Sequence, residues 1–493
     1  MLPKVVLYGA GERGRRLCKL LQQLNCEMAV TIVDSNFEKW GTRIGKWTVK
    51  SPDILRDLEN VKLHITIADD DIIKEIRIEI QQKYQFLLEN EINYYQLVIQ
   101  AYKTSRLVKQ GILEYRPVQN KERSIIFESS DGLGLGGVEA WTKDICTALT
   151  ESCEDNLWII TDEGNYEIPK ILENRIIHVN VNHKKRYTPE CVLNLIELIL
   201  KKLPCKIVAS FTNDVMLAAY LIKHFYPDMI DLISVIHVGR KKHYDEFLAY
   251  KEGVDYYIAV SHDICTALIG KGAEPQRVFT MTCPFQCNQS LSRTYTENEA
   301  KPVRIGYAGR MDGMEGSQKR MDLVLKLIET LEEKEVDYQL ELAGNGVARK
   351  AMEEFVRSRH LETKVQFLGT LERTELDRFW QRQDICINLA DFEGRSISII
   401  EAMGNGAIPV VTATSGVRDD ITDDMNGYIV DLEDYLSMAD RIEYLAKHRE
   451  RLHIMGRKAH DVVYPKSLME PHLRFWKKVL GIAEKGEKDG CNR

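Results

Sequence analysis

No apolar run in this 493-residue chain approaches the roughly 20 residues that a membrane-crossing helix needs. A charge excess of one sign is missing too. The 67 Lys and Arg residues stand against 74 Asp and Glu, a balance of −7, so nucleic acid exerts no global attraction on the chain and only a local basic patch could. The 11 cysteines are scattered without framework spacing and follow no secretory leader, which reads as reduced thiols in a cytosolic protein. Cys283 and Cys287 have no second ligand pair, which argues against zinc. Met1-Leu2-Pro3-Lys4 runs straight into a strand pattern, so no targeting segment is expected. These absences predict a cytoplasmic protein, in solution or resting at the inner face of a membrane.

What is there is an ordinary globular composition, 44% apolar and 29% charged, on a chain long enough for two to four domains. Short apolar runs alternate with helical periods three times over. The first series opens with Val5-Val6-Leu7-Tyr8 and closes a second strand on Asp34. The second opens with Ser124-Ile125-Ile126-Phe127 and passes a glycine turn into a helix where Val138, Trp141, Ile145 and Leu149 form one stripe. The third opens with Val303-Arg304-Ile305-Gly306-Tyr307. Alternation of this kind predicts an α/β protein of three Rossmann-like, doubly wound parallel-sheet domains. The expected boundaries are 1–105 for the first domain, 106–122 for a partly helical linker, 123–298 and 299–463 for the next two. C-terminal helices over 464–483 are expected to cross back, and 484–493 to be a frayed tail. The polar stretch Cys287 to Pro302 reads as a hinge.

The third series carries the strongest chemical pattern. Glu393 and Glu401 flank a loop that turns into a helix near Ser396. The first free amides of such a helix, with its positive dipole end, point at whatever occupies the neighbouring cleft. Arg310 follows a strand and Gly309, and Lys319-Arg320 opens the next helix. Two fixed cations there suit a leaving group whose negative charge grows during bond cleavage. Both Lys319 and Glu401 are expected to face solvent in an open cleft.

These residues resemble a known family. Gly309-Arg310, Gln318-Lys319-Arg320, Leu342-Ala343-Gly344-Asn345-Gly346, Phe367-Leu368-Gly369, the spaced glutamates, Pro409-Val410-Val411-Thr412 and Asn426-Gly427-Tyr428 look like the carboxyl-terminal half of the group 1 (family four) retaining glycosyltransferases. Gly136-Gly137-Val138-Glu139, His237 and Ala259-Val260-Ser261 extend the likeness backwards, over about 123–480. The resemblance implies that the last two domains form a GT-B pair, with a nucleotide sugar as donor substrate and no cofactor needed for transfer. It implies a glycan or lipid-linked acceptor, in the making of a cell-surface polysaccharide. By the same likeness Arg310 and Lys319 bind the diphosphate, with Gly136 and Gly137 approaching it closely. Glu401 holds the ribose, Glu393 and the stretch Gly394, Arg395, Ser396 and Ile397 hold the transferred sugar, and His237 lies near the reacting sugar. Two departures stand out. Met311 to Ser317 lengthens the loop between the cations, which makes Arg320 a rival of Lys319. Arg395-Ser396 replaces a bulky apolar residue and a glycine, so Arg395 could read an acidic sugar or an acceptor phosphate.

In the first series Gly9, Gly11 and Gly14, with Asp34 twenty residues later, fit a dinucleotide fingerprint. The block also looks like the small nucleotide-binding domains attached to polysaccharide-biosynthesis enzymes. A bound nucleotide or dinucleotide and a purely docking role are both open, and no Tyr-x-x-x-Lys set of the reductase type accompanies it. Asp69-Asp70-Asp71 reads as a helix cap rather than a metal site. Lys184-Lys185-Arg186 and Arg240-Lys241-Lys242 read as solvated loops or as contacts for lipid or acceptor phosphates. The alternatives to a transferase are a sugar-modifying oxidoreductase run by the first domain and a non-catalytic partner subunit.

Overall fold

The computed structural model describes residues 3–67, 69–117, 122–129, 132–134, 136–152, 156–164, 167–179 and 186–482. Lys184, Lys185, part of the linker, Leu135 of the glycine turn and the tail 484–493 lie outside the described residues. The chain divides into two compact units. One comprises Met1–Gly134, Asp155–Ser234 and Asp245–Tyr256, the other Leu135–Glu154, Val235–Tyr244 and Tyr257–Arg493.

Three sheets organise the chain; every strand pair of the third and five of the six pairs of the second are described as parallel. The third sheet runs Val365–Gly369, Tyr338–Ala343, Val303–Ala308, Ile385–Asn388, Ile408–Thr412 and Tyr428–Val430. All five residues of Ile408–Thr412 are buried, as expected for a strand covered on both faces. Helix Met321–Glu333 covers it with Met321, Val324, Leu327, Ile328 and Leu331, each apolar side chain contributing roughly 1.5–3 kcal/mol on burial. Strand order reverses between Val303–Ala308 and Ile385–Asn388. At such a switch point two chain segments leave the sheet on opposite sides and open a crevice at the carboxyl ends of the strands. The segments after these two strands carry Arg310 and Glu393.

The second sheet has seven strands, in the order Val278–Thr280, Tyr256–Ala259, Ile230–Ile236, Cys205–Ala209, Ser124–Ser129, Leu157–Asp162, Ile176–Val179. The first has five: Arg43–Ile44, Trp47–Lys50, Ala29–Val33, Lys4–Tyr8, Val61–Ile65. Its edge departs from the parallel expectation, because Arg43–Ile44 pairs antiparallel with Trp47–Lys50 across a short turn.

Two segments are more firmly held than their polarity predicts. The connector contains helix Arg106–Leu113, which buries Val108 and Ile112 and is capped by Ser105. Beside it, the Ser105 hydroxyl donates to the Leu24 carbonyl at 2.7 Å and the Tyr102 hydroxyl to the Tyr187 carbonyl at 2.8 Å. A cut at 105 would therefore pass through packed interior. The expected hinge is a strap. Arg293 donates to the carbonyls of Asn405 and, at 2.5 Å, Gln383, Tyr295 to that of Gly406 at 2.9 Å, and the Thr296 amide to Asp384 at 3.1 Å. Asp69 caps helix Asp70–Tyr84 by accepting from the amides of Asp71 and Ile72.

Candidate functional site

All the residues of the third-series pattern, with His237, Gly136 and Gly137, fall in the second unit or touch its residues there. The long loop after Arg310 folds on itself: the Ser317 hydroxyl donates to the Met314 carbonyl at 2.6 Å and to that of Lys319 at 2.9 Å. Lys319 then pairs as an isolated bridge with Ala390, and the Asp391 amide donates to the Gln318 carbonyl at 3.0 Å. The extra residues thus leave Lys319 in register with the loop that carries the glutamate.

Lys319 Nζ meets Glu393 Oε1 in a buried ion pair. Gln318 Nε2 donates to the other oxygen of Glu393 at 3.3 Å and to the Phe392 carbonyl at 3.1 Å. Arg310 Nη2 donates to Gln318 Oε1 at 3.2 Å, and the exposed Arg310 also lies 3.5 Å from Asp312. Arg310, Gln318, Glu393 and Lys319 therefore form one chain of contacts. Lys319 is only 7% exposed, which corrects the expectation that it faces solvent. Arg320 is settled as its structural neighbour: Asp322, Asp391 and Glu433 all hold its guanidinium, at 2.7–3.1 Å. Its hydrogen bonds to Asp322 first, then to Glu433 and Asp391, outweigh burial and push its proton affinity up.

Helix Ile397–Gly404 starts at Ser396, whose side chain makes no capping bond. Its hydroxyl accepts from Asn388 Nδ2 at 3.1 Å instead. The first-turn amides are thereby left for another acceptor, with the positive end of the dipole behind them. A second uncapped start lies against it. Helix Gly137–Glu151 begins at Gly136 without a side-chain cap, and a Cβ on Gly137 would come within 3.2 Å of Ile397 Cδ1. Glu139 folds back beside Gly136.

Glu401 keeps a partly open surface, yet burial pushes its carboxyl up to about 7, with Arg373 opposing and Asp377 and Asp144 adding. No hydrogen bond from the described residues reaches that carboxylate. Arg373 is turned to Asp144, its two terminal nitrogens at 3.1 and 3.2 Å.

Gly394 has a steric reason to be glycine: an added Cβ would overlap the His237 carbonyl oxygen. The Gly239 amide donates to the Glu393 carbonyl at 2.8 Å, the Gly416 amide to Asp263 at 3.0 Å and the His262 amide to Asp419 at 2.9 Å. His237 itself is set edge-on to Trp141 at 4.9 Å, and Trp141 lies 5.6 Å from Trp476 on helix Met469–Leu480. Burial drives the His237 imidazole down to about 3, so it is neutral, and its enclosed Nε2 has no partner.

Arg395 is a correction. Its guanidinium is buried and bidentate on Asp420, at 2.7 and 2.8 Å, and Lys466 completes the cluster at 2.7 Å from the same carboxylate. Burial alone would push Asp420 up, but Arg395 and Lys466 hold it below its ordinary value. Two of its nitrogens are thereby turned to Asp420 rather than to a sugar or a phosphate, while Nη1 is buried without a partner among the described residues. Arg240 lies over the Phe392 ring at 4.7 Å. The sequence reading missed Gln318 as a site residue, although it stands inside the quoted motif. It also missed Asp420, Arg373 and the Gly239 contact, whose partners are distant in sequence.

In the first unit, Gly9 takes φ +114° beside Thr66, an added Cβ on Gly14 would overlap the Gly9 carbonyl, and Gly11 precedes helix Glu12–Gln23. The fingerprint acid is already occupied. Asp34 accepts from the amides of Ala10 at 2.7 Å and Asn36 at 2.9 Å and from Lys39 at 2.9 Å. Burial would push Asp34 up, but those donors hold it below its ordinary value.

Arg310, Lys319 and two helix starts without a side-chain cap thus stand after strands of a parallel sheet, the part of an α/β protein where anionic ligands bind. Residues 293–462 match the family model of glycosyl transferases group 1, and with the relatives below this supports the group 1 glycosyltransferase family and a GT-B fold. One relative, poly(ribitol-phosphate) alpha-N-acetylglucosaminyltransferase of Staphylococcus aureus (strain COL), is 24% identical over 256 residues, 49% of each chain. The chain thus spans about half the length of that relative. Another, N-acetyl-alpha-D-glucosaminyl L-malate synthase of Bacillus anthracis, is 22% identical over 56% of this chain and 74% of its own. Anabaena Alr3699/HepE, solved in complex with UDP and glucose, superposes with a TM-score of 0.58 at 15% identity, over 73% of this chain and all of the other. The crystal structure of TarM gives 0.52 at 14% identity, over 97% of this chain and 99% of its own. Among the described residues no helix is long and apolar enough to cross a membrane.

Proposed function

We propose that the chain is a retaining glycosyltransferase that moves a sugar from a nucleoside-diphosphate donor, with UDP favoured, to a glycan or lipid-linked acceptor. The observation that carries this reading is the run of contacts from Arg310 through Gln318 to Glu393 and Lys319, a few residues before the uncapped helix start at Ile397, against which a second such start at Gly137 lies. A diphosphate placed there meets amides from both helices and two cations. As the bond from the anomeric carbon breaks, its electron pair moves onto the β-phosphate oxygen. Fixed positive groups that strengthen with this charge lower the barrier, each by a factor of ~10²–10³. Lys319 then passes from Glu393 to the phosphate, which frees Glu393 to accept hydroxyls of the departing sugar. Glu401, which no hydrogen bond from the described residues reaches, holds the ribose diol. The neutral His237 offers a hydrogen bond at the reacting sugar.

The likeness to a poly(ribitol-phosphate) alpha-N-acetylglucosaminyltransferase supports a role in surface-glycan assembly, which we place in the cytoplasm, at the inner face of the membrane. The first domain is read as accessory, without a cofactor for the transfer. The oxidoreductase alternative is weakened by the engagement of Asp34, the acid that would hold a dinucleotide ribose. The test is hydrolysis of a panel of nucleotide sugars by the full chain, with the anomer of the first-formed product read by NMR. Release of the donor's own anomer supports a retaining transferase, and no turnover of any donor overturns the reading.

A further inference from the structure

The first unit contains a cavity of about 1540 Å³ that the donor chemistry does not use. It opens where strand Val61–Ile65 ends, beside the switch point of the first sheet. Arg13, Arg16 and Lys19 line it from one helix, Glu12–Gln23, three residues apart. At 1.5 Å rise per residue they form a row of cations about 4.5 Å apart along the axis. Arg13 and Lys19 make no ion pair among the described residues, and Arg16 holds only the exposed Glu12, at 2.5 Å. Of the acidic residues on the lining, Glu91 is neutralised by Arg77 at 2.8 Å, which leaves Glu190. The balance is positive.

The same cavity is lined by a cluster of rings. Tyr94 lies 5.6 Å from Tyr95 and 6.3 Å from both His64 and Tyr187. His64 Nδ1 bonds to the Ile92 carbonyl at 3.0 Å, which puts the proton on Nδ1 and leaves Nε2 as an acceptor. Burial lowers its affinity for a second proton.

A compact small molecule typically fills about 300–1,000 Å³, so the space suits something longer. Ring faces bind the apolar faces of sugars, a neutral imidazole accepts from a hydroxyl, and a spaced row of cations matches charges that repeat along a chain. We propose that this cavity binds a stretch of polyanionic glycan, in which phosphodiester or carboxylate groups recur between sugar or polyol units. It rests on the transferase reading only in making that glycan the acceptor.

The experiment uses the full chain with four probes of defined size: a poly(glycerol phosphate) octamer, an octagalacturonate, neutral maltooctaose and UDP. Binding is followed by calorimetry at two salt concentrations. One or both charged oligomers are expected to bind at least about tenfold more tightly than maltooctaose, with affinity falling as salt screens the contacts. The octamer arm and the uronate arm tell phosphodiester from carboxylate. The exposed triple substitution Arg13→Gln, Arg16→Gln, Lys19→Gln is expected to weaken that binding about tenfold or more and to flatten its salt dependence, with nucleotide-sugar hydrolysis unchanged. Equal binding by maltooctaose, unchanged affinity in the triple variant, displacement of the oligomer by UDP, or no binding of either charged probe overturns the proposal. Should the wild-type chain hydrolyse no donor while the charged oligomer binds as described, the transferase reading fails and the glycan site stands.

Discussion

The Lys319 ammonium and the Glu393 carboxylate, 74 residues apart in the chain, form one buried ion pair. On the proposed function, the cation assigned to a diphosphate is therefore stored on the acid assigned to a sugar before a donor arrives. Removing Lys319 leaves Glu393 charged, little exposed and without its ammonium.

Lys319→Ala is accordingly expected to cost two things at once. Donor turnover should fall by ~10²–10³, and unfolding free energy should drop by about 3 kcal/mol, as for other broken buried pairs. The double variant Lys319→Met, Glu393→Gln should recover much of the stability in a urea titration and none of the turnover. A fully stable single variant would show that the pair is not buried in solution.

Glu401 gives a pH signature. Its carboxyl is raised from 4.5 to about 7, so the folded chain binds more protons than the unfolded one between those values. Stability then falls as pH rises through that window and levels off above it. Glu401→Gln removes the effect, so its stability relative to wild type should climb from pH 4 to pH 8, by roughly 1–3 kcal/mol after allowance for the partly open surface. Denaturation at both pH values measures it. A difference that does not change with pH would place Glu401 at its ordinary acidity.

Donor binding should release a proton for the same reason, because ribose hydroxyls favour the ionised carboxylate. Calorimetry of UDP near pH 6.5 in buffers of different ionisation heat should show release of a fraction of a proton. The release should vanish in Glu401→Gln and fade above pH 8. Proton uptake would contradict the assignment.

Arg395 is predicted to act on stability. Arg395→Lys keeps the charge but loses the two-pronged bond to Asp420, and should cost about 1–3 kcal/mol. The choice of donor sugar should be unchanged. Altered sugar selectivity without a shift in the denaturation midpoint would restore Arg395 as a recognition residue.

His237 should stay neutral across the working range, because burial holds it near 3. Its imidazole resonances should not titrate between pH 5 and 8. His237→Gln should lower turnover without moving the acidic limb of the pH profile.

The parts of the molecule legible in the sequence were those encoded locally. Runs such as Ile305 to Ala308 and Ile408 to Val411 are apolar throughout because both faces are covered, and the helix of Met321 shows its stripe directly. The Lys319 motif was legible despite its longer loop, since Ser317 closes the extra turn. What escaped notice depends on distant partners. Nothing near Arg395 in the chain announces Asp420, and nothing in Cys287 to Pro302 says that Arg293 and Tyr295 find carbonyls ninety or more residues ahead. Lys319 looked exposed for the same reason: its burial comes from a loop on another strand. Asp34 has the spacing from Gly14 of a ribose-binding acid, but the spacing does not show that the amides of Ala10 and Asn36 already occupy it.

The strap from Arg293 to Thr296 has a practical corollary for anyone dissecting the chain. A fragment begun at residue 299 would shed the side chains that cover Gln383, Asn405 and Gly406 and would leave Asp384 short of a donor. A fragment holding the third sheet therefore has to start upstream of Arg293, and its soluble yield should drop once the first residue passes Arg293.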